Sequence, residues 1–139
     1  MGATLTMAIG TTRDELERIS SAIEELGQRD EWPDDLVFRV NLVLEELILN
    51  IMDYGAEDDD PDISLEIQTK DDSISIDLSD RGRAFDPLTE APEPDLTASV
   101  GERRVGGLGV HLTKTLMDEV HYSREADRNR LSIVTRKVR

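Results

Sequence analysis

Along the first half of the chain, apolar residues recur at helical spacing, and along the second half they alternate. Residues 4–9 (TLTMAI) alternate and predict an edge strand. Thr12-x-x-Glu15 has capping-box spacing, and Leu16, Ile19, Ile23 and Leu26 then form one stripe, with Gly27 placed as the stop of a first helix. Trp32-Pro33-Asp34-Asp35 predicts a turn, with Asp34 or Asp35 as N-cap of a central helix running to about Tyr54 before Gly55. After an acidic loop at residues 57–62, Ile63, Leu65 and Ile67 alternate with polar residues, Lys70-Asp71-Asp72 turns the chain, and Ile74, Ile76 and Leu78 alternate again. This is a hairpin with one buried face. Periodicity stops from residue 81 to 105, where Gly82, Pro87, Pro92 and Pro94 mark an irregular loop of the length that functional loops have. Gly106-Gly107-Leu108-Gly109 then opens a short helix ending near Asp118, and two strands, residues 120–124 and 131–137, close the chain around a turn at 125–129.

The central helix breaks its own pattern. At about 100° per residue, Arg39, Val43, Glu46, Asn50 and Asp53 fall within a stripe roughly 80° wide. Leu36, Val40, Leu44, Leu47 and Ile51 flank it on one side, Leu42 and Leu49 on the other, so the polar line is bracketed by hydrophobes. Such a line can floor a polar pocket. Glu46 is the candidate general base, and Asn50, one turn on, offers an amide oxygen of the kind Mg²⁺ accepts. Glu45 lies on the far side and reads as solvated.

Strand parity supplies a second candidate. Asp80 continues the inward row of Ile74, Ile76 and Leu78, and a carboxylate there needs donors, which an exocyclic amine such as adenine N6 would provide. Asp80-Arg81-Gly82 is otherwise a hairpin-exit turn. The glycines at 106, 107 and 109 precede a helix whose free N–H groups and dipole suit a phosphate, though glycines before a helix are also a common flexible entry. Neither a Walker A loop nor a Rossmann fingerprint is present. Arg83, Arg103, Arg104 and Lys114 flank the cluster as solvated cations or phosphate partners, and His111 and His121 lack metal-site spacing.

Composition narrows the function classes. The 139 residues suit a single domain, residues 1–139, and 4% aromatics imply an aliphatic core. A formal charge of −15 argues against binding a phosphate backbone and favours a basic protein partner or simple solubility. With no cysteine there is no disulfide framework or thiol nucleophile; with no apolar run near the roughly 20 residues of a membrane span, no membrane association and a cytoplasmic location are expected.

Taken in order, Glu46-x-x-x-Asn50, Asp80-x-Gly82-x-Ala84-Phe85-Asp86-Pro87 and Gly106-Gly107-Leu108-Gly109 resemble the N box and the two glycine boxes of the GHKL superfamily of ATP-binding domains, which includes gyrase and the histidine kinases. The FDP after the first glycine box and the segment GGLGVHLTKTLMDEVHY look like the anti-sigma-factor serine/threonine kinases of bacterial partner-switching systems. The resemblance implies an α/β two-layer sandwich (α+β) of Bergerat type, a mixed, mostly antiparallel sheet with helices on one face, holding ATP and Mg²⁺ beneath a lid at residues 86–105. It implies Glu46 as base, Asn50 as Mg²⁺ ligand, Asp80 as adenine acceptor, Gly82, Ala84 and Phe85 around the base, Gly106, Gly107, Leu108, Gly109 and Val110 along the phosphates, and Ser132 on the adenine side. It further implies a homodimer whose partners are a STAS-type anti-sigma-factor antagonist and a sigma factor. Ala84 replaces the second glycine of its box and Asp53 stands where close relatives often carry a basic residue. An alternative is therefore a nucleotide-responsive protein-binding regulator with little or no kinase activity.

Overall fold

A computed structural model describes residues 4–10, 14–51, 62–82 and 113–138. Its elements are β1 (Thr4–Ile9), α1 (Asp14–Arg29), α2 (Asp34–Asn50), β2 (Ile63–Thr69), β3 (Ser73–Asp80), β4 (Glu119–Glu125) and β5 (Arg128–Arg136). The strands form one sheet in the order β1-β2-β3-β5-β4. All four pairings among the described residues are antiparallel, in keeping with the mostly antiparallel sheet that the resemblance implies. The described pairs include a hairpin at β2–β3 and another at β4–β5, the geometry short turns enforce.

The sheet has one apolar and one polar face because the sequence alternates with period two. Inward lie Ile63, Leu65, Ile67, Ile74, Ile76, Leu78, Leu131 and Ile133, all buried; outward lie Ser64, Glu66, Gln68, Ser75, Asp77 and Arg130. The inner face merges with Ile19, Ile23 and Leu26 of α1 and Leu36, Val40, Val43, Leu44, Leu47 and Ile48 of α2 in one aliphatic core. Trp32 Nε1 donates to Thr69 Oγ1 at 3.3 Å, and Arg39 Nη1 donates to Thr135 Oγ1 at 2.8 Å, so the helices cover the inner face.

Three local expectations are corrected. Gly27 does not stop α1, which runs on to Arg29; it is buried, and a Cβ there would come within 2.7 Å of Val37 Cγ2. The glycine permits close approach of the two helices. Neither Asp34 nor Asp35 caps α2: Pro33 holds the N-cap position without a side-chain bond, and both acids lie in the first turn, where the helix dipole favours them. The last turn is tighter than expected, two residues, Ala126 and Asp127, with φ of 50° and 63°, the left-handed pair of a type I′ hairpin. Thr12, the expected first cap, lies outside the described residues, but Glu15 reaches back to accept from the Gly10 N–H and is bound by Arg18, which also donates to Ala8 O. The Arg18 bond and then the Gly10 N–H hold the Glu15 carboxyl down at about 2.

Candidate functional site

The path of the chain decides where the polar line of α2 points. β1 ends at Ile9, in register with Ile63, at the sheet end that holds Asp80; α1 leads away from it, and Trp32 meets Thr69 at the opposite end. Arg39 is tied to Thr135, in register with Ile74, so α2 starts there and heads back. From Arg39 to Asn50 the helix rises about 16 Å, against about 20 Å of strand from Ile74 to Asp80. The C-terminal turn of α2 and Asp80 therefore share one end of the molecule.

On that last turn the polar groups lack partners. Asn50 is 1% exposed, and neither its amide nitrogen nor its amide oxygen meets a hydrogen-bond partner among the described residues. Glu46 is half-buried with its Oε2 buried and equally unpartnered, while Glu45 beside it is exposed. Burial first, and the neighbouring Glu45 charge second, push the Glu46 carboxyl up from its ordinary 4.5 to about 7. A buried unpaired amide costs on the order of 1–3 kcal/mol, so helix geometry alone does not account for Asn50. A ligand that brings an oxygen-seeking cation or a donor to Asn50 Oδ1 and Glu46 Oε2, and an acceptor to Asn50 Nδ2, would satisfy both side chains.

Asp80 is buried at the end of the inward row, as parity requires. Its Oδ1 accepts from the Gly82 N–H at 2.8 Å, an Asx turn, and from Asn129 Nδ2 at 3.1 Å. Arg124 Nη1 donates to the Gly82 carbonyl at 2.8 Å, and Tyr122 donates its hydroxyl to Asn129 Oδ1 at 2.5 Å. The carboxylate is thus fixed by β3, β4 and β5 together.

Of the expected site residues, Glu46, Asn50, Asp80 and Gly82 are at this end. Ser132 is not among them: it pairs with Asp77, lies on the outer face and donates to Asp77 Oδ1 at 3.0 Å, so the sheet separates it from Asp80. The inward residue opposite Asp80 is Asn129, which sequence reading did not select although the parity of Leu131 and Ile133 places it there. Ala84, Phe85, Gly106, Gly107, Leu108, Gly109 and Val110, together with Asp53 and the lid, lie outside the described residues. His121 is exposed, 3.9 Å from Glu119.

Known proteins resemble this chain in both sequence and fold. The serine/threonine-protein kinase BtrW of Bordetella bronchiseptica is 29% identical over 114 residues, covering 81% of this chain and 80% of the relative. The serine-protein kinase RsbW of Listeria monocytogenes is 34% identical over 86 residues, 58% of this chain, which spans 54% of that relative. An anti-sigma F factor of Clostridium perfringens is 29% identical over 100 residues, 71% of each. A solved structure of the RsbU and RsbW domains of a Mycobacterium tuberculosis protein shares the fold at a TM-score of 0.69 and 13% identity, covering 96% of this chain and 32% of that one. Residues 10–135 match the histidine kinase-like ATPase domain, a span that holds both the helix with the unpartnered Glu46 and Asn50 and the strand ending in Asp80. The chain belongs to the histidine kinase-like ATPase domain family.

Proposed function

We propose that this chain is an ATP-dependent serine/threonine protein kinase and anti-sigma factor, which phosphorylates a small STAS-type antagonist and binds a sigma factor in its alternate partnership. The observation that carries the reading is the pair of buried, unpartnered groups one helical turn apart, Glu46 and Asn50, at the same end as the buried Asp80. Relatives named as serine kinases and as an anti-sigma F factor support it.

Asp80 accepts from the adenine amine, and Asn50 would hold Mg²⁺ through its amide oxygen, whose lack of a partner fits the metal's preference for oxygen ligands. Bound there, Mg²⁺ would offset charge on the phosphoryl group in transfer. Glu46 takes the proton of the target serine as that oxygen bonds to the γ-phosphorus and the bond to ADP breaks. A carboxyl with a pKa of about 7 suits this role near neutral pH. The reading includes a homodimer and a cytoplasmic location, with neither nucleic acid nor membrane as partner; among the described residues no helix is long and apolar enough to cross a membrane.

Incubation with labelled Mg-ATP and a STAS-type antagonist from the same genome tests the reading. Transfer to a serine, abolished by Glu46→Gln, is expected; no transfer, or transfer indifferent to that substitution, overturns it. Nucleotide-dependent partner affinity without transfer would instead select the regulator reading.

A further inference from the structure

Asp80 can discriminate one purine from another only if its carboxylate is held in one orientation. Its Oδ1 already takes two donors, the Gly82 N–H at 2.8 Å and Asn129 Nδ2 at 3.1 Å. The second of these is conditional. An asparagine amide turned by half a rotation presents its oxygen in place of its nitrogen, and acceptor would then face acceptor across a buried contact. Asp80 and Asn129 are 4% and 5% exposed, which leaves little solvent to relieve that clash.

Tyr122 anchors the amide from its other side. It lies on the inner face of β4, in register with Leu131 and diagonal to Asn129, and its hydroxyl donates to Asn129 Oδ1 at 2.5 Å. The acceptor-only carboxylate of Asp80 draws Nδ2 toward itself and leaves Asn129 Oδ1 for the phenol hydroxyl, whose bond then holds the amide in that place. Arg124, opposite Asn129 in the β4–β5 pairing, holds the Gly82 carbonyl at 2.8 Å and so steadies the turn whose N–H supplies the other donor. Filling space next to the sheet would require only the ring; the hydroxyl adds the bond that keeps Asn129 against Asp80.

We propose that Tyr122, acting through Asn129, is a positioning residue that makes this pocket select a 6-amino purine over a 6-oxo purine, an inference that rests on the reading of Asp80 as the purine acceptor. With Oδ1 saturated and the carboxylate plane fixed, the other oxygen meets the ligand as an acceptor. It attracts an exocyclic amine and repels a carbonyl.

The test is calorimetric titration of the full chain with Mg-ATP and with the inosine triphosphate complex, for wild type, Tyr122→Phe, Asn129→Leu and Asp80→Asn. Tyr122→Phe is expected to weaken ATP binding about five- to tenfold while changing inosine triphosphate binding less than about twofold, the size of one lost hydrogen bond to a charged network. Its melting midpoint should stay within about 2 °C of wild type. Asn129→Leu, close in volume and unable to donate, should produce the same ATP-selective loss. Equal losses for the two nucleotides in either variant, or no loss for either nucleotide, would overturn the relay. The reading of the pocket fails separately: if wild type binds neither nucleotide, or Asp80→Asn binds ATP as wild type does, the acceptor role is lost and the relay falls with it. Asp80-dependent ATP binding with an unchanged ATP-to-inosine preference in Tyr122→Phe overturns the relay alone.

Discussion

Glu46→Gln should remove phosphoryl transfer and yet make the protein more stable, by an amount that grows as pH rises from about 4.5 to 7 and is complete above it. The side chain is half-buried, its Oε2 has no partner among the described residues, and its pKa is raised from 4.5 to about 7, chiefly by burial. A carboxyl raised on folding leaves the stability intact below its unfolded value and erodes it as pH rises through the folded one. The wild type therefore carries an increasing penalty between about 4.5 and 7 and the full penalty at pH 8. Undiscounted, the rise would correspond to roughly 3 kcal/mol at about 1.4 kcal/mol per pH unit; half-exposure reduces this to about 1 kcal/mol. Gln keeps the shape without the charge. Urea denaturation should place Glu46→Gln about 1 kcal/mol above wild type at pH 8 and within about 0.3 kcal/mol at pH 5. Phosphate transfer measured on the same preparations should fall by about 10²–10⁴, and wild-type transfer should rise with pH through about 7 as Glu46 loses its proton. A stability difference that is the same at both pH values, or a Gln variant less stable at pH 8, would refute the claim that Glu46 is held charged in a partly dry site.

Three further outcomes probe the scaffold. Arg39→Met should cost about 2 kcal/mol, or roughly 6–8 °C in a thermal melt, because buried Thr135 and the carbonyls of Arg136 and Lys137 lose its guanidinium; the exposed Asp35 partner adds little. Gly27→Ala should destabilise by about 1 kcal/mol despite its better helix propensity, since its Cβ would meet Val37 Cγ2 at 2.7 Å; in a Val37→Ala background the same change should be neutral or stabilising by urea titration. Trp32→Phe should cost about 1 kcal/mol in the same assay by stranding the buried Thr69 hydroxyl, with the nucleotide-site readouts unchanged.

What the sequence revealed, and what it hid, follows from the range of each interaction. The β2–β3 hairpin and the burial of Asp80 were legible because a period of two assigns every side chain to a face without knowledge of the partner strand. The same rule, applied to Leu131 and Ile133, puts Ser132 on the outer face and Asn129 on the inner face opposite Asp80, whereas the resemblance implies Ser132 on the adenine side. Gly27 reads as a stop because a glycine after an apolar stripe is a local signal, whereas its role depends on Val37 of another helix. Likewise, no local signal foretold that Asp34 and Asp35 would leave the cap to Pro33. The second glycine box and the lid lie outside the described residues.

The polar line of α2 shows why partner counting separates scaffold from site where the helical wheel does not. Arg39, Glu46 and Asn50 occupy one stripe, and by periodicity they are equivalent. In the fold they are not: Arg39 bonds to a threonine hydroxyl 96 residues away and to the carbonyls beyond it, which pins the start of α2 to the end of β5. Glu46 and Asn50, about one and two turns beyond the middle of the same helix, keep buried atoms that nothing among the described residues satisfies. A satisfied buried charge needs no ligand to explain it, but an unsatisfied amide and a carboxyl raised to about 7, by burial first and the Glu45 charge second, carry a cost that a bound group would relieve. The sheet supplies the opposite case at Asp80, whose Oδ1 is doubly bonded and so held still. One side of the proposed site is thus held by satisfied bonds and the other carries unsatisfied polar groups, the division of labour that the proposed phosphotransfer would use: a fixed acceptor for the purine and an unquenched acid–base group for the target hydroxyl.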